Sequence, residues 1–297
     1  MFKRVQVIVN PAAGQAKPVL QILNSVFKPA NISWDISITQ ETGDGKRLAQ
    51  KAVADGVDLV AACGGDGTVA EVASGLIGSP VPLAILPGGT ANVMAVELNL
   101  PLDLTAACQL LCGDDYALRP VDMGHAGSRP FMLRLGLGLE AAMVEGAHPD
   151  LKFRVGTLAY AFSILQAIQN PVVAKYEIIL DGEVVHCEGV TCLVANTANM
   201  GVLSSTLSPQ TSVSDGLLDV FVVQKADLGS ILSLAASVVT GQENAQAMHH
   251  WQARAITVVS DPVQTLQADG EIIGQSPVQA QVIPKAVQIV IPKFSQV

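Results

Sequence analysis

Charge is scarce in this chain and runs acidic: 14% of its 297 residues are charged, with 26 Asp and Glu against 17 Lys and Arg, a formal net of −9. That shortage of cations excludes a nucleic-acid partner, since phosphate backbones are held by clustered Lys and Arg. It equally excludes a polybasic membrane anchor. Cysteine is sparse as well. Cys63, Cys108, Cys112, Cys187 and Cys192 are odd in number and lack paired metal-ligand spacing. Cys108 and Cys112, four apart, fit one helix face, and all five read as small buried apolar residues. Long apolar runs are missing: Val155–Ile168 contains a Gly and a Gln and falls short of the ~20 residues that a spanning helix needs. The opening MFKRVQVIVNP runs into a strand without a leader. The expectation is a cytoplasmic protein whose membrane contact is peripheral.

What is present is a large apolar fraction, 49%, enough to bury a substantial core. In the first hundred residues, short aliphatic runs (Val5–Val9, Ile32–Ile38, Asp58–Cys63, Val81–Leu86) alternate with helically spaced stretches (Pro18–Phe27, Gly45–Ala54, Val69–Ile77). That rhythm predicts a parallel sheet covered on both faces, with ligands beyond the strands' C-terminal ends. After Asp122 strand-like runs dominate: Pro130–Leu137, Val172–Leu180, Val184–Glu188, Val190–Ala195, Leu217–Val223, Ala255–Ser260, Leu266–Ala268, Glu271–Ile273, Val278–Ile283 and Val287–Ile291. Asp181-Gly182 and Asp269-Gly270 are hairpin signals. The second half thus reads as a β-sandwich, interrupted by helices near Val155–Gln169 and Asp227–Thr240. The fold class expected is α/β + β, with an α/β domain over 1–122 plus 287–297 and a β-sandwich over 123–286.

Three glycine-containing loops follow three of the first-half strands: Asn10-Pro11-Ala12-Ala13-Gly14, Gly64-Gly65-Asp66-Gly67-Thr68, and Pro87-Gly88-Gly89-Thr90-Ala91-Asn92. If the strands are parallel, all three loops end at one rim and converge. Glycines bring backbone N–H groups close to a phosphate, and a helix N-terminus favours an anion. Thr68 reads as the N-cap of the following helix. Asp66 would repel a bare phosphate, so it calls for a cation between, as Mg²⁺ stands with nucleotides. Neither the P-loop nor the dinucleotide glycine pattern is present.

These residues resemble the diacylglycerol kinase and sphingosine kinase superfamily in its compact bacterial form. The resemblance runs through Asn10-Pro11-x-x-Gly14, Thr39 with Gly43-Asp44, Gly64-Gly65-Asp66-Gly67-Thr68-Val69-x-Glu71-Val72, and Pro87-x-Gly89-Thr90-x-Asn92-x-x-Ala95. It continues in Val121-Asp122-x-Gly124, Asp215-Gly216-x-Leu218-Asp219-Val220 and Asp269-Gly270-Glu271. The resemblance implies an ATP- and Mg²⁺-dependent lipid kinase with a phosphofructokinase- or NAD-kinase-like α/β domain, and ATP between that domain and the sandwich. Thr39, Gly64, Gly65, Asp66, Gly67, Thr68, Glu71, Gly89 and Thr90 would form the nucleotide site, with Asn10 and Asn92 shaping it. Asp66 would act through Mg²⁺. Asp215 would hold a second, structural Mg²⁺ with backbone carbonyls, Leu217 first and Ser212 as another candidate. Asp269 would be the base for a membrane lipid's hydroxyl, with Glu271 beside it; a homodimer stays open.

The chain departs from the family at several points. Arg134 and Glu140 replace its usual Asn and Asp, Asn199-Met200-Gly201 a glycine triplet, and Val93-Met94 an acidic-aromatic pair. Asp-Gly-Glu occurs twice, and spacing cannot choose between the copies. The resemblance assigns Asp181 to an exposed turn and Asp269 to chemistry. The histidines (His125, His148, His186, His249, His250) read as scattered surface residues, and Asp114-Asp115 as a solvated turn. Apolar stripes at Leu158–Ile168 and Leu228–Val238 suit either sandwich packing or a membrane-facing surface. Two other functions compete: a soluble NAD-kinase-like metabolite kinase, and a catalytically silent nucleotide- or lipid-binding module.

Overall fold

A computed structural model of the chain describes residues 2–14, 17–138, 172–197, 199, 208–224 and 248–293. Two compact units emerge: residues 1–123, 199–204 and 284–297, and residues 124–198 with 205–283. The expected helices near 155–169 and 227–240, His148, Glu140 and Met200-Gly201 lie outside the described residues.

The first unit alternates β1 (Arg4–Val9), α1 (Val19–Phe27), β2 (Ser33–Ile38), α2 (Asp44–Ala54), β3 (Leu59–Gly64), α3 (Asp66–Leu76) and β4 (Leu83–Pro87). The short helices α4 (Val93–Glu97) and α5 (Leu104–Gln109) follow, the latter capped by Asp103, whose side chain accepts the Ala106 N–H at 2.9 Å. The sheet order is β2-β1-β3-β4, all parallel. At its far side comes the end of a long strand, β16 (Val278–Pro292), where Ile289 pairs with Leu83. Every residue of β3 and β4 is buried, as expected for strands with both faces covered. The register sets Val9 against Cys63 and Gly64 against Pro87, so the three strands end at one rim. Helices α2 and α3 come close because Gly45 and Gly75 have no side chain: a Cβ at Gly75 would lie 2.5 Å from the Lys46 carbonyl.

The second unit is antiparallel. Its strands are β6 (Arg129–Phe131), β7 (Arg134–Gly138), β8 (Ala174–Leu180), β9 (Glu183–Gly189), β10 (Thr191–Ala195), β11 (Leu218–Val223), β12 (Met248–Ala253), β13 (Ala255–Asp261), β14 (Thr265–Ala268) and β15 (Glu271–Gln275). One sheet has the order β12-β11-β10-β7-β14-β15, and β9, β8, β13 and the start of β16 form another. Alternate residues of both build one core, including Leu135, Leu137, Tyr176, Ile178, Cys192, Val194, Val220, Ile256 and Val258. The alternation along β8 is visible in Ala174, Tyr176 and Ile178, all buried, with exposed Lys175 and Glu177 between them.

Four readings need correction. The single strand expected over Pro130–Leu137 is two short ones, because the Met132, Leu133 and Arg134 N–H groups bond to the Asp269 carboxylate. Conversely, Val278–Ile283 and Val287–Ile291 are one strand, with Lys285 at φ 51° and its N–H held by Asp122 at 2.6 Å. Tyr116–Ala126 (β5) and β12 were not foreseen. His249 and His250 are β12 residues rather than loose surface groups: His250 Nε2 sits 2.6 Å from the buried Asp219 carboxylate and its ring stacks on Phe221. Among the cysteines, Cys63, Cys108 and Cys192 are buried, while Cys112 and Cys187 are half-buried.

Candidate functional site

In the first unit the three loops meet through their glycines. Gly88 donates its N–H to the Gly64 carbonyl at 2.9 Å. A Cβ on Gly89 would come within 2.5 Å of the Gly65 Cα, and one on Gly14 within 1.9 Å of the Gly88 carbonyl oxygen. These are backbone neighbours that cannot swing aside, so any side chain there would force the loops apart. Gly67 differs: nothing lies within 4 Å of where its Cβ would be. It stands exposed in the first turn of α3, where the N–H ends of the backbone and the helix dipole favour an anion.

The asparagines act as braces. Asn10 sends Nδ2 to Thr68 Oγ1 at 3.0 Å, accepts the Ala12 N–H on Oδ1 at 2.9 Å, and gives its own N–H to the Cys63 carbonyl. Thr68 is therefore not the N-cap; Gly65 is, and α3 starts at Asp66. The Thr68 hydroxyl, on a buried residue, ties the first loop to the second instead. Asn92 folds back on its own loop, accepting the Gly89 N–H and donating to the Gly89 carbonyl, both at 3.0 Å. Its φ of 48° is a left-handed conformation that Asn tolerates better than most residues. Thr90, in the same loop, is exposed, and Asp66 is half-buried at the head of α3.

Thr39 follows β2 and donates its N–H to the Val9 carbonyl at 2.9 Å, bringing a fourth segment to the rim. Glu71, on α3, points elsewhere: its two carboxylate oxygens accept the Gly43 and Gly45 N–H groups at 2.8 and 2.9 Å. It holds the start of α2 against α3 and so fixes the Thr39 segment from behind. Asp44 completes that turn by accepting the Gln40 and Glu41 N–H groups. Those bonds, the Gln40 N–H first and then Arg47, lower its carboxyl to about 2. Lys17 was not singled out by sequence reasoning; its Nζ lies 3.4 Å from the Pro87 carbonyl, a cation at the junction's edge.

In the second unit the two Asp-Gly-Glu triplets prove to be structural twins. Asp269 has φ 47° and Asp181 φ 50°, each followed by a glycine at positive φ. The Asp269 N–H bonds the Arg134 carbonyl at 3.0 Å, and the Asp181 N–H bonds the Ala255 carbonyl at 2.9 Å. Asp269 Oδ1 accepts from Leu133 and Arg134 at 2.9 and 3.0 Å, and Oδ2 from Met132 at 2.7 Å. Asp181 Oδ1 accepts from Arg254 and Ala255 at 3.1 and 2.8 Å, and Oδ2 from Arg254 at 3.1 Å. Their settings differ: Asp181 is exposed, as expected, while Asp269 is half-buried. Burial pushes the Asp269 carboxyl above the usual carboxylate range, and the three backbone N–H groups counter it only in part. A raised carboxyl pKa suits a group that must take a proton and later release it. Glu271, expected beside it, forms an ion pair with Arg129 across β6 and β15.

Asp215 is exposed in a turn with Gly216, its Oδ1 accepting the Leu217 N–H at 2.9 Å. The Ser212 hydroxyl oxygen accepts the Ser214 N–H at 3.3 Å. Among the described residues, no group of three or more His, Cys, Asp or Glu gathers at metal-binding range. A cation would therefore lean on single carboxylates, backbone carbonyls, water or substrate phosphates, a pattern that Mg²⁺ accepts. Among the described residues no helix is long and apolar enough to cross a membrane.

Comparison with known proteins matches both halves of the chain. Residues 4–126 match the diacylglycerol kinase catalytic domain, and residues 135–291 match the YegS C-terminal NAD kinase beta sandwich-like domain. The diacylglycerol kinase of Bacillus subtilis (strain 168) is 30% identical over 98% of this chain and 97% of its own length. That of Staphylococcus saprophyticus is 29% identical over 93% of this chain and 92% of its own length. A crystal structure assigned to a diacylglycerol kinase of Bacillus anthracis str. Sterne superposes with a TM-score of 0.82, at 28% identity and 99% coverage of both chains. By its two matched domains and its full-length relatives, the chain belongs to the diacylglycerol kinase-like family of lipid kinases.

Proposed function

We propose that this protein transfers the γ-phosphate of ATP to the hydroxyl of a diacylglycerol-like membrane lipid, with Mg²⁺, working peripherally at the membrane surface. The observation that carries the reading is the junction of three glycine loops at one sheet rim, braced by Asn10 and Asn92 and opening into the N-terminus of α3. Gly64, Gly65 and Gly89 allow the loops to approach one another, while Gly67 keeps the helix start open for phosphate. Thr39, Thr68 and Thr90 line or brace that junction, and Glu71 fixes the Thr39 segment. Asp66 at the helix head would hold Mg²⁺, which screens phosphate charge when bound. Asp215, the Leu217 carbonyl and Ser212 would take a second, structural ion in the sandwich unit.

Asp269 is the group for the acceptor. It orients the lipid hydroxyl and takes its proton as the hydroxyl oxygen bonds to the γ-phosphorus. The bond from that phosphorus to the bridging oxygen breaks, and ADP leaves. The Glu271–Arg129 pair makes Glu271 a support of the turn rather than a second base. The division of labour we propose gives ATP to the first unit and the lipid to the second.

Labelled ATP with Mg²⁺, offered to mixed micelles of diacylglycerol, a sphingoid base or phosphatidylglycerol, with NAD in parallel, tests this reading. Label should appear in the organic phase. Label in NAD, or in no acceptor, would overturn it.

A further inference from the structure

We propose that Lys17 is a phosphate-binding residue of the nucleotide site, its ammonium donating to the polyphosphate of ATP at the edge of the three-loop junction. The inference rests on reading that junction as the nucleotide site and adds a charge that the loops themselves lack. Residues 10–14, 64–68 and 87–92 include a single ionisable side chain, Asp66, and it is acidic. Backbone N–H groups and a helix dipole supply only partial charges. Mg²⁺ offsets part of a triphosphate's charge, and a carboxylate that holds the ion offsets part of the ion's. A full positive charge is what this arrangement is short of.

Lys17 brings one from just outside the first loop. Its Nζ donates to the Pro87 carbonyl at 3.4 Å, so the side chain crosses from the exit of the first loop to the head of the third. The two loops touch at the same place, since a Cβ on Gly14 would lie 1.9 Å from the Gly88 carbonyl oxygen. Pro87 in turn ends β4 in register with Gly64, the first residue of the second loop. The Lys17 charge is felt one residue earlier, at Cys63, where it opposes the burial that raises the thiol. The root of the side chain is fixed: the Lys17 carbonyl accepts the Val19 N–H at 2.8 Å where α1 begins.

The ammonium is placed there without being neutralised. It has more N–H donors than the one that Pro87 accepts, and that bond is longer than the ~2.9 Å usual for N–H···O. Two other cations of the first unit are committed, Arg47 to Asp44 and Lys51 to Asp55. Among the described residues Lys17 pairs with no carboxylate, and it is exposed. An arriving phosphate can therefore meet it without displacing an acidic partner. A compact point charge on a flexible stem suits phosphate oxygens that need not be held in one plane.

Equilibrium titration of the full-length protein with Mg²⁺-ATP, without lipid, tests the charge. Lys17→Gln keeps a donor for the Pro87 carbonyl but removes the cation, and should weaken binding about tenfold. Lys17→Arg, which restores the charge, should bind close to wild type. Added salt should weaken wild type more steeply than Lys17→Gln, because the variant has lost a charge contact. Lys28→Ala removes a like charge beyond the far end of α1 and should leave affinity unchanged. Lys17→Ala serves if Lys17→Gln does not fold. Wild-type affinity in Lys17→Gln, with a native melting curve, overturns the proposal. An equal loss in Lys17→Arg overturns it too, by making the tie to Pro87 the cause, and so does an equal loss in Lys28→Ala. The two readings fail separately. Weakened binding by Asp66→Ala beside unchanged binding by Lys17→Gln leaves the nucleotide site standing without Lys17, whereas a wild type that does not bind Mg²⁺-ATP removes both.

Discussion

Replacing Asp269 by Asn separates what this carboxylate does for the fold from what it does for chemistry. From sequence, the change looks harmless to structure, since Asn-Gly turns as readily as Asp-Gly. The structure says otherwise. Asp269 accepts N–H groups on both oxygens, from Leu133 and Arg134 on one and Met132 on the other. An amide has one acceptor oxygen, so its NH₂ must face at least one of those donors. The best orientation keeps two bonds and strands the Met132 N–H, at a cost of about 1–3 kcal/mol. Relief of a carboxylate that burial already disfavours offsets part of this, so about 1 kcal/mol is the expected loss. In a unit of this size that lowers the melting midpoint by about 2–4 °C. Turnover should fall far more, by the ~10²–10⁴-fold of a lost general base.

Asp181→Asn is the matched control. The Arg254 N–H reaches both Asp181 oxygens at 3.1 Å, and the Ala255 N–H reaches Oδ1 alone. One amide oxygen can serve both donors at that exposed turn. Stability should stay within about 0.5 kcal/mol of wild type, with turnover unchanged. Steady-state rates on mixed micelles, measured well below the melting midpoint and beside thermal melts of both variants, decide it. A large rate loss at Asp181 with a silent Asp269 would refute the reasoning, and so would wild-type melting and turnover at Asp269→Asn.

Glu71→Ala should free the Gly43 and Gly45 N–H groups, lower stability by about 1–2 kcal/mol, and raise KM for ATP more than it lowers kcat; unchanged KM would detach Glu71 from the nucleotide site. Asp215→Ala should abolish any rise of the melting temperature with added Mg²⁺, whereas an intact Mg²⁺ response would leave Asp215 as a turn former only. The Asp44 carboxyl, lowered to about 2, contributes stability that is complete above the unfolded value of 3.8 and is lost as pH falls from there toward 2. Asp44→Asn should therefore destabilise the chain at pH 6 and by much less near pH 2, in denaturant titrations at the two pH values.

Much of this was legible from residues. The all-apolar runs of β3 and β4, and the helical spacing between them, could only be a covered parallel sheet, and both hairpins were written as Asp-Gly. The glycine loops were legible as a group because parallel strands must end together. What was not legible depended on partners remote in sequence. Tyr116–Ala126 carries a proline, Pro120, inside the strand, while Met248–Ala253 shows no clean alternation because His250 answers the buried Asp219 on β11. The break between β6 and β7 is set by a carboxylate more than 130 residues away. Thr68 looked like a cap because hydroxyls cap helices, yet Asn10 takes its hydroxyl first. The equivalence of Asp181 and Asp269 reached further than the triplets suggested: sequence showed two turns, but not that each clamps the neighbouring strand.

The central claim is that the three-loop junction holds the nucleotide, and equilibrium titration with Mg²⁺-ATP tests it without any lipid present. Asp66→Ala removes the carboxylate at the head of α3 while the glycines still permit the turn. Gly89→Ala places a methyl group 2.5 Å from the Gly65 Cα and wedges two loops apart. Wild type should bind, and each variant should bind at least about tenfold more weakly, the ~1.4 kcal/mol that a single lost phosphate or metal contact is worth. Wild-type affinity in both variants, with native melting curves, would contradict the account and move the nucleotide elsewhere.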